Sequence, residues 1–165
     1  MTRARWFFVV TAMLVVAGAV WLNGQPRMPS DMLSPQDLRE IEQLVQGYTR
    51  GIDIGPEDAS WVFARDAVFL ANNRPVTGEK ELKAFYANLR QTNRTRTIRH
   101  LLSNLVIRAS PSGATGSVYL TTIEAPATIT AVGMYEDTYV KTAEGWRIKR
   151  RLYHQDLPSA TAKPQ

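Results

Sequence analysis

Four long segments of alternating polar and apolar residues dominate the C-terminal part of the chain. They predict strands over 97–109, 114–124, 129–142 and 146–154. Short turns that contain Gly or Pro join them, so the strands pair most simply as an antiparallel meander. A sheet of this kind must bury one face against other elements, and that requirement limits the fold class.

Helical patterns precede the sheet and provide this cover. Ser34, Pro35 and Asp37 form the N-terminal signature of a helix. Apolar residues at spacings of three and four follow it: Leu38, Ile41, Leu44, Val45, Tyr48 and Ile52. The next predicted elements are a short helix over 56–63, a strand over 67–71, a turn over 72–75 and a third helix from Gly78. Helices followed by a sheet predict an α+β fold.

The N-terminal residues have the pattern of a targeting segment. Two arginines precede an apolar run over 6–22, which contains small residues at the spacing of a cleavage site. The run continues beyond that site, and its length is close to the roughly 20 residues that span a bilayer. We predict a signal peptide or an N-terminal membrane anchor over 1–24, followed by a linker over 25–33. Either one places the rest of the chain outside the cytoplasm, in the periplasm or cell envelope.

The composition excludes several classes of function. The chain has no cysteine and two histidines, which excludes a disulfide framework, a thiolate metal site and a cysteine nucleophile. It has no Gly-rich phosphate loop, and we expect neither a metal nor another cofactor. The arginine cluster over 90–99 lacks interleaved aromatic residues, and the basic cluster over 147–151 continues a strand pattern. We therefore expect no nucleic-acid partner.

Six short motifs lie in order between residues 34 and 155. They are Tyr48-Thr49-Arg50-Gly51-Ile52-Asp53, Phe63-Ala64-Arg65-Asp66-Ala67-Val68-Phe69, Val76-Thr77-Gly78-Glu79-Lys80-Glu81-Leu82, Arg99-His100-Leu101-Leu102-Ser103-Asn104, Gly133-Met134-Tyr135-Glu136-Asp137 and Gly145-Trp146-Arg147-Ile148. Together they resemble the SnoaL-like family of the nuclear transport factor two-like superfamily, whose relatives include scytalone dehydratase and, more distantly, ketosteroid isomerase. The resemblance predicts one domain over 34–155 and leaves a polar tail over 156–165.

The resemblance implies a cone-shaped α+β barrel with an apolar pocket. In that fold, three N-terminal helices pack on a curved, mostly antiparallel sheet. Family members use the pocket for small, mostly apolar and often cyclic molecules. The expected function is a cofactor-independent lyase or isomerase acting on a small hydrophobic compound. The alternative is a non-catalytic domain of the cell envelope that binds a small ligand or a protein, because a fold does not fix a function.

His100 and Asp53 are the predicted catalytic pair. Strict strand alternation places His100, Leu102 and Asn104 on one apolar face. A histidine there can exchange protons near neutral pH, and Asp53 at the end of the first helix could orient it. In the scytalone dehydratase-like pattern, an aspartate and a histidine occupy these two matching positions. A purely structural histidine stays open as the alternative.

The predicted substrate-binding residues are Tyr48, Asn104, Tyr135 and Asp137. Asn104 or Tyr135 would hold the substrate oxygen on which negative charge develops. Tyr48 also fits a core position in the first helix, and Asp137 also fits a salt bridge with an arginine.

The opposite face of the first long strand suggests self-association. Under strict alternation it carries Arg99, Leu101, Ser103, Leu105 and Ile107. Relatives commonly dimerise through the outer face of the sheet, and an apolar row there would be covered by a partner copy. We therefore predict a homodimer.

Overall fold

The computed structural model describes residues 32–53, 59–71, 74–93 and 97–157. The elements are helices α1 (Pro35–Asp53) and α2 (Gly78–Asn93), a 3₁₀ helix (Ala59–Val62), and strands β1 (Phe63–Ala71), β2 (Arg74–Thr77), β3 (Ile98–Ser110), β4 (Gly113–Glu124), β5 (Thr128–Thr142) and β6 (Gly145–Leu157). They belong to one compact unit over 33–165. The predicted signal peptide or anchor lies outside the described residues. Within those residues, no helix is long and apolar enough to cross a membrane.

The six strands form one mixed sheet in the order β2-β1-β6-β5-β4-β3. All neighbours are antiparallel except β1 and β6, which run parallel. The predicted α+β class and the mostly antiparallel sheet are therefore confirmed. The predicted cone-type arrangement of helices on the sheet is confirmed as well, and the sheet is not closed, with β2 and β3 as its edge strands. Helix α1 packs against β3 and β6.

The described part of the chain has two α-helices where three were predicted. The expected second helix is only the 3₁₀ turn Ala59–Val62, and β1 begins at Phe63, earlier than expected. Phe63 begins a strand instead of continuing the helix because it pairs with Ile148 of β6. Arg74 and Pro75 lie in β2 instead of in a turn. An edge strand tolerates proline, since the missing N–H faces away from the ladder.

Both oxygens of the Asp37 carboxylate accept hydrogen bonds at the start of α1. Asp37 Oδ2 accepts from Ser34 N at 3.1 Å and from Ser34 Oγ at 2.6 Å, as the predicted cap requires. Asp37 Oδ1 accepts from Lys141 Nζ at 2.6 Å and from Trp146 Nε1 at 2.9 Å. The Lys141 bond, followed by those of Ser34 and Trp146, lowers the pKa of Asp37 well below its ordinary value. The helix is thereby tied to the hairpin between β5 and β6.

An aromatic cluster fills the space between the helices and the sheet. The rings in contact are Tyr48, Phe63, Phe69, Phe85, Tyr86, Tyr135 and Tyr153. Tyr48 contacts the rings of Phe63, Tyr86 and Tyr135 edge-on. Such contacts fix the spacing between α1, β1, α2 and β5 and so position the site.

A β-bulge in β3 reverses which side chains face the core. Ser103 pairs with Tyr119 and Val106 with Ser117, so two residues, Asn104 and Leu105, oppose one on β4. Asn104 has a φ of 56°, in the left-handed region that asparagine tolerates better than most residues. Beyond the bulge, Leu105 packs against the core and Val106 is exposed. The predicted faces of this strand are therefore wrong after Ser103.

A second irregularity has the same effect in β6. Tyr139 pairs with Ile148 and Thr138 with Arg150, which leaves Lys149 as an extra residue. Ile148 before it is buried, and Arg151 after it is buried as well. The strict alternation expected from the sequence would have placed Arg151 on the outer face.

Candidate active site

The His100–Asp53 pair joins the end of α1 to the start of β3. His100 Nδ1 lies 2.5 Å from Asp53 Oδ1, and the backbone N–H of His100 donates to Asp53 Oδ2 at 2.8 Å. Both side chains are largely buried, with 14% of His100 and 8% of Asp53 exposed. An acid at a helix C-terminus is unfavourable, and these two bonds offset that cost. The structure thus brings together the two residues of the predicted pair.

The contact selects one tautomer of the imidazole. A carboxylate accepts hydrogen bonds only, so the Nδ1 proton of a neutral His100 is held toward Asp53. The lone pair for proton transfer is then on Nε2. The backbone bond to the second carboxylate oxygen fixes the carboxylate, so neither partner needs to reorient during a proton transfer.

His100 lines a cavity of about 230 Å³. The described residues that line it are Leu89, Ile98, His100, Leu120, Thr122, Thr130, Ala131, Tyr135, Tyr153 and Gln155. Aliphatic side chains and two tyrosine rings form the apolar part of the wall. Its polar part comes from the imidazole, hydroxyl and amide groups of His100, Thr122, Thr130, Tyr135, Tyr153 and Gln155. This distribution is typical of a site for a small apolar ligand with one or two polar groups.

Tyr135 is the predicted binding residue that lines this cavity. Burial raises the pKa of Tyr135 well above its ordinary value, Tyr48 raises it further, and Arg151 opposes the shift. Its phenol therefore stays protonated at neutral pH and can donate a hydrogen bond. Tyr135 and His100 thus border the same cavity.

Asn104 does not share a face with His100. The bulge turns it to the exposed side of β3, so its predicted role beside His100 is wrong. Tyr48 and Asp137 are buried, and neither is among the described residues that line the cavity. The Tyr86 hydroxyl donates to that of Tyr48 at 3.3 Å. These two predicted residues therefore lie behind the cavity wall, as the alternatives stated for them from the sequence allow.

Asp137 forms a buried ion pair with Arg151, a residue that the sequence analysis did not single out. Arg151 Nε donates to Asp137 Oδ1 at 2.7 Å and Nη2 donates to Oδ2 at 2.6 Å. Tyr139 Oη also donates to Asp137 Oδ2, at 2.8 Å. One feature of the sequence could have indicated a buried arginine. Asp137 is an isolated acid in an inward row with Gly133, Tyr135 and Tyr139, and a buried carboxylate needs a cation.

A second, larger groove of about 1030 Å³ is lined by Trp61, Phe63, Leu82 and several charged residues. Lys83 and Glu79 pair with each other at 2.6 Å there, and Lys149 pairs with Asp66. The groove does not include His100 or Asp53, so its larger volume does not make it the candidate site. Among the described residues, no three His, Asp or Glu side chains converge as metal ligands.

Comparison with protein families settles the relationship that the motifs suggested. The model of the SnoaL-like domain matches residues 35–152. The chain belongs to this SnoaL-like family. Asp53 and His100 both lie within the matched region. A comparison with curated proteins gives no significant match.

Solved structures show the same fold as this SnoaL-like domain. A cystatin-like-fold protein of unknown function from Nostoc punctiforme is 21% identical with a TM-score of 0.67, covering 78% of this chain and 97% of its own. A nuclear transport factor two-like protein from Novosphingobium aromaticivorans is 22% identical with a TM-score of 0.65, covering 77% and 86%. A candidate scytalone dehydratase from the same organism is 23% identical with a TM-score of 0.62, covering 79% and 96%. At these identities the likeness shows the fold alone.

Proposed function

We propose that the domain catalyses cofactor-independent proton transfer on a small hydrophobic, cyclic carbonyl compound, as an isomerase or lyase. The observation that carries the proposal is the 2.5 Å contact between His100 Nδ1 and Asp53 Oδ1 at the wall of an apolar cavity. A carboxylate-oriented imidazole is a general base with a fixed direction of attack. The name of the candidate scytalone dehydratase among the solved structures agrees with this class of chemistry.

The reaction begins with removal of a proton from the carbon beside the substrate carbonyl. The C–H bond breaks, the proton passes to His100 Nε2, and the electron pair forms an enolate. Asp53 stabilises the resulting imidazolium, and the Tyr135 hydroxyl donates to the enolate oxygen. Where the enolate is conjugated with a second double bond, return of the proton from Nε2 to the far carbon gives an isomer. Where the β carbon carries a hydroxyl group, the C–O bond breaks, the enolate electron pair forms the C=C bond, and the hydroxyl takes the proton from Nε2 and leaves as water.

The size of the cavity limits the substrate. Ligand sites commonly measure roughly 300–1,000 Å³, and this one measures about 230 Å³. A ligand of one or two rings fits this volume better than a larger polycyclic molecule.

The test is hydrogen–deuterium exchange beside a carbonyl, which needs no knowledge of the natural substrate. The domain in D₂O is incubated with cyclohexanone, indanone or tetralone, and loss of the α-proton signal is followed by NMR. We expect exchange above the buffer rate, and His100→Ala and Asp53→Asn should each lower it by about 10²–10⁴. The double variant should lose little more, since the two residues act as a unit.

His154→Ala is the matched control. His154 Nε2 contacts Glu136 Oε2 at 2.9 Å, and both side chains are about half exposed. This second histidine–carboxylate pair does not line the cavity, so its loss should leave exchange unchanged. Exchange that persists in His100→Ala, or falls equally in His154→Ala, would contradict the proposal.

The alternative function is binding without turnover, of a small ligand or of a protein. The specific observation in its favour is the exposed apolar group Leu101, Val106 and Tyr119 on the outer face of the sheet. This function predicts saturable binding of a cyclic ketone or a protein, with no exchange above the buffer rate. The NMR experiment therefore separates the two functions.

A further inference from the structure

Arg151 is a fully buried cation enclosed by aromatic rings. None of its surface is exposed. Its guanidinium carbon lies 4.1 Å from the ring centre of Tyr48 and 4.3 Å from that of Tyr135. Among the described residues, Nη1 is buried and has no hydrogen-bond partner. An arginine in such surroundings is expensive to bury, and a simple apolar packing role would not require it.

Asp137 keeps this cation charged and in place. Burial lowers the pKa of Arg151, but the attraction and hydrogen bonds of Asp137, together with Tyr48 and Tyr135, bring it above its ordinary value. The Tyr139 hydroxyl and the two Arg151 nitrogens together fix the carboxylate. The guanidinium plane therefore cannot turn away from the Tyr135 ring without breaking a bidentate pair.

Tyr135 connects this buried pair to the cavity. The ring of Tyr135 is in contact with the guanidinium of Arg151, and Tyr135 also lines the cavity together with His100. A cation against the face of a phenol ring withdraws electron density from it and stabilises negative charge on its oxygen. The hydroxyl becomes a stronger hydrogen-bond donor while it remains protonated.

We propose that Arg151, held by Asp137, is a positioning residue that strengthens the Tyr135 hydroxyl as donor to an anionic ligand oxygen in the cavity. The ligand class is a small planar molecule with an enolate-like or phenolate-like oxygen. This inference rests on the proposed function for the role of that oxygen, but it can be measured by binding alone.

The experiment compares two ligands of the same shape, para-nitrophenolate and para-nitrotoluene, on the full domain. The ratio of their dissociation constants gives the preference for an anionic oxygen. We expect the wild type to prefer the phenolate. The pair Asp137→Asn with Arg151→Gln removes both charges without leaving one unpaired, and should reduce the preference about fivefold. Tyr135→Phe should reduce it similarly.

The decisive variant combines all three substitutions. If Arg151 acts through Tyr135, removing the ion pair in the Tyr135→Phe background should change the preference less than about twofold. If Arg151 has only a structural role, its replacement should weaken the binding of both ligands equally, and the ratio of their dissociation constants should stay the same. His154→Ala is the control, because His154 pairs with Glu136 outside the cavity and its loss should leave the ratio unchanged.

Three results would overturn the inference: no phenolate preference in the wild type, an unchanged preference in the neutral pair, or the same loss with and without the Tyr135 hydroxyl. Where the neutral pair does not fold, Arg151→Lys gives the same test. It keeps a charge but cannot lie flat on the ring, and an unchanged preference there would also contradict us. His100→Ala should abolish proton exchange yet keep the preference, so failure of the proposed function is recognised separately.

Discussion

Asn104 holds a backbone conformation that most side chains avoid. Its φ of 56° lies at the point where β3 gains a residue relative to β4. The cost of this conformation for a residue with a branched Cβ is about 1–2 kcal/mol. The bulge in turn directs Leu105 and Ile107 onto the core, so one residue determines the packing of the strand that follows it.

We therefore expect Asn104→Gly to leave the free energy of unfolding within about 0.5 kcal/mol of wild type, because glycine adopts this φ freely. Asn104→Val should lower it by about 1–2 kcal/mol. Urea unfolding measures both. Ser103→Val is the control, since Ser103 is exposed on the same strand before the bulge, and there valine should be harmless. Equal effects of valine at both positions would contradict this account.

The extra residues in β3 and β6 explain why Asn104 was predicted wrongly and why Arg151 was missed. His100 and Asp53 could be predicted because His100 precedes the bulge in β3 and Asp53 ends a clear helical pattern. Asn104 and Arg151 could not, because each lies at or beyond an extra residue that inverts the period of two. Bulges depend on pairing with a neighbouring strand, and pairing is a tertiary property that local alternation does not contain.

At the scale of elements, the carboxylate of Asp37 connects α1 to the hairpin between β5 and β6. Lys141 contributes little to the stability, because more than half of its side chain is exposed and water screens the pair. The cap on Ser34 and the bond from the indole of Trp146 contribute more, since Trp146 is buried. This connection holds the N-terminal end of α1 against the hairpin.

Asp37→Asn should lower the free energy of unfolding by about 1–2 kcal/mol near neutral pH. The folded-state pKa of Asp37 is lowered, so its contribution is present above the ordinary value of 3.8 and is lost as the pH falls toward the lowered pKa. The difference between wild type and variant should therefore shrink on acidification, as thermal unfolding across pH would show.

Asp66→Asn is the matched control for this prediction. Asp66 also pairs with a lysine, Lys149, but its side chain is mostly exposed and it caps no helix. Its replacement should change Tm little at any pH. A pH-independent loss in Asp37→Asn would mean that packing, and not the carboxylate charge, is responsible.

At the scale of the whole molecule, the outer face of the sheet has the composition of an interface. Leu101 is 50% exposed, Val106 42% and Tyr119 52%. Tyr119 pairs with Ser103 of β3 and with Met134 of β5. Leu101 and Val106 lie on either side of Ser103 along β3, so Leu101, Val106 and Tyr119 are neighbours on one face. The bulge makes this patch differ from the predicted row, because it contributes Val106 in place of Leu105 and Ile107.

We predict a homodimer through this patch, as expected from the sequence. Light scattering at tens of micromolar should give twice the monomer mass, and Leu101→Glu with Tyr119→Lys should give the monomer mass. The control is Trp61→Gln, which removes an exposed aromatic residue that lies outside the sheet and should leave the mass unchanged. A monomeric wild type would contradict the prediction.

The order of strands in the sheet has a consequence for synthesis of the protein. β6 follows every other described element in the chain, yet it lies between β1 and β5 in the middle of the sheet. Until it leaves the ribosome, β1 has no partner on that side and Asp137 has no counter-charge. The domain therefore completes its core only after translation of β6, so the strands made earlier stay without their central partner through most of synthesis.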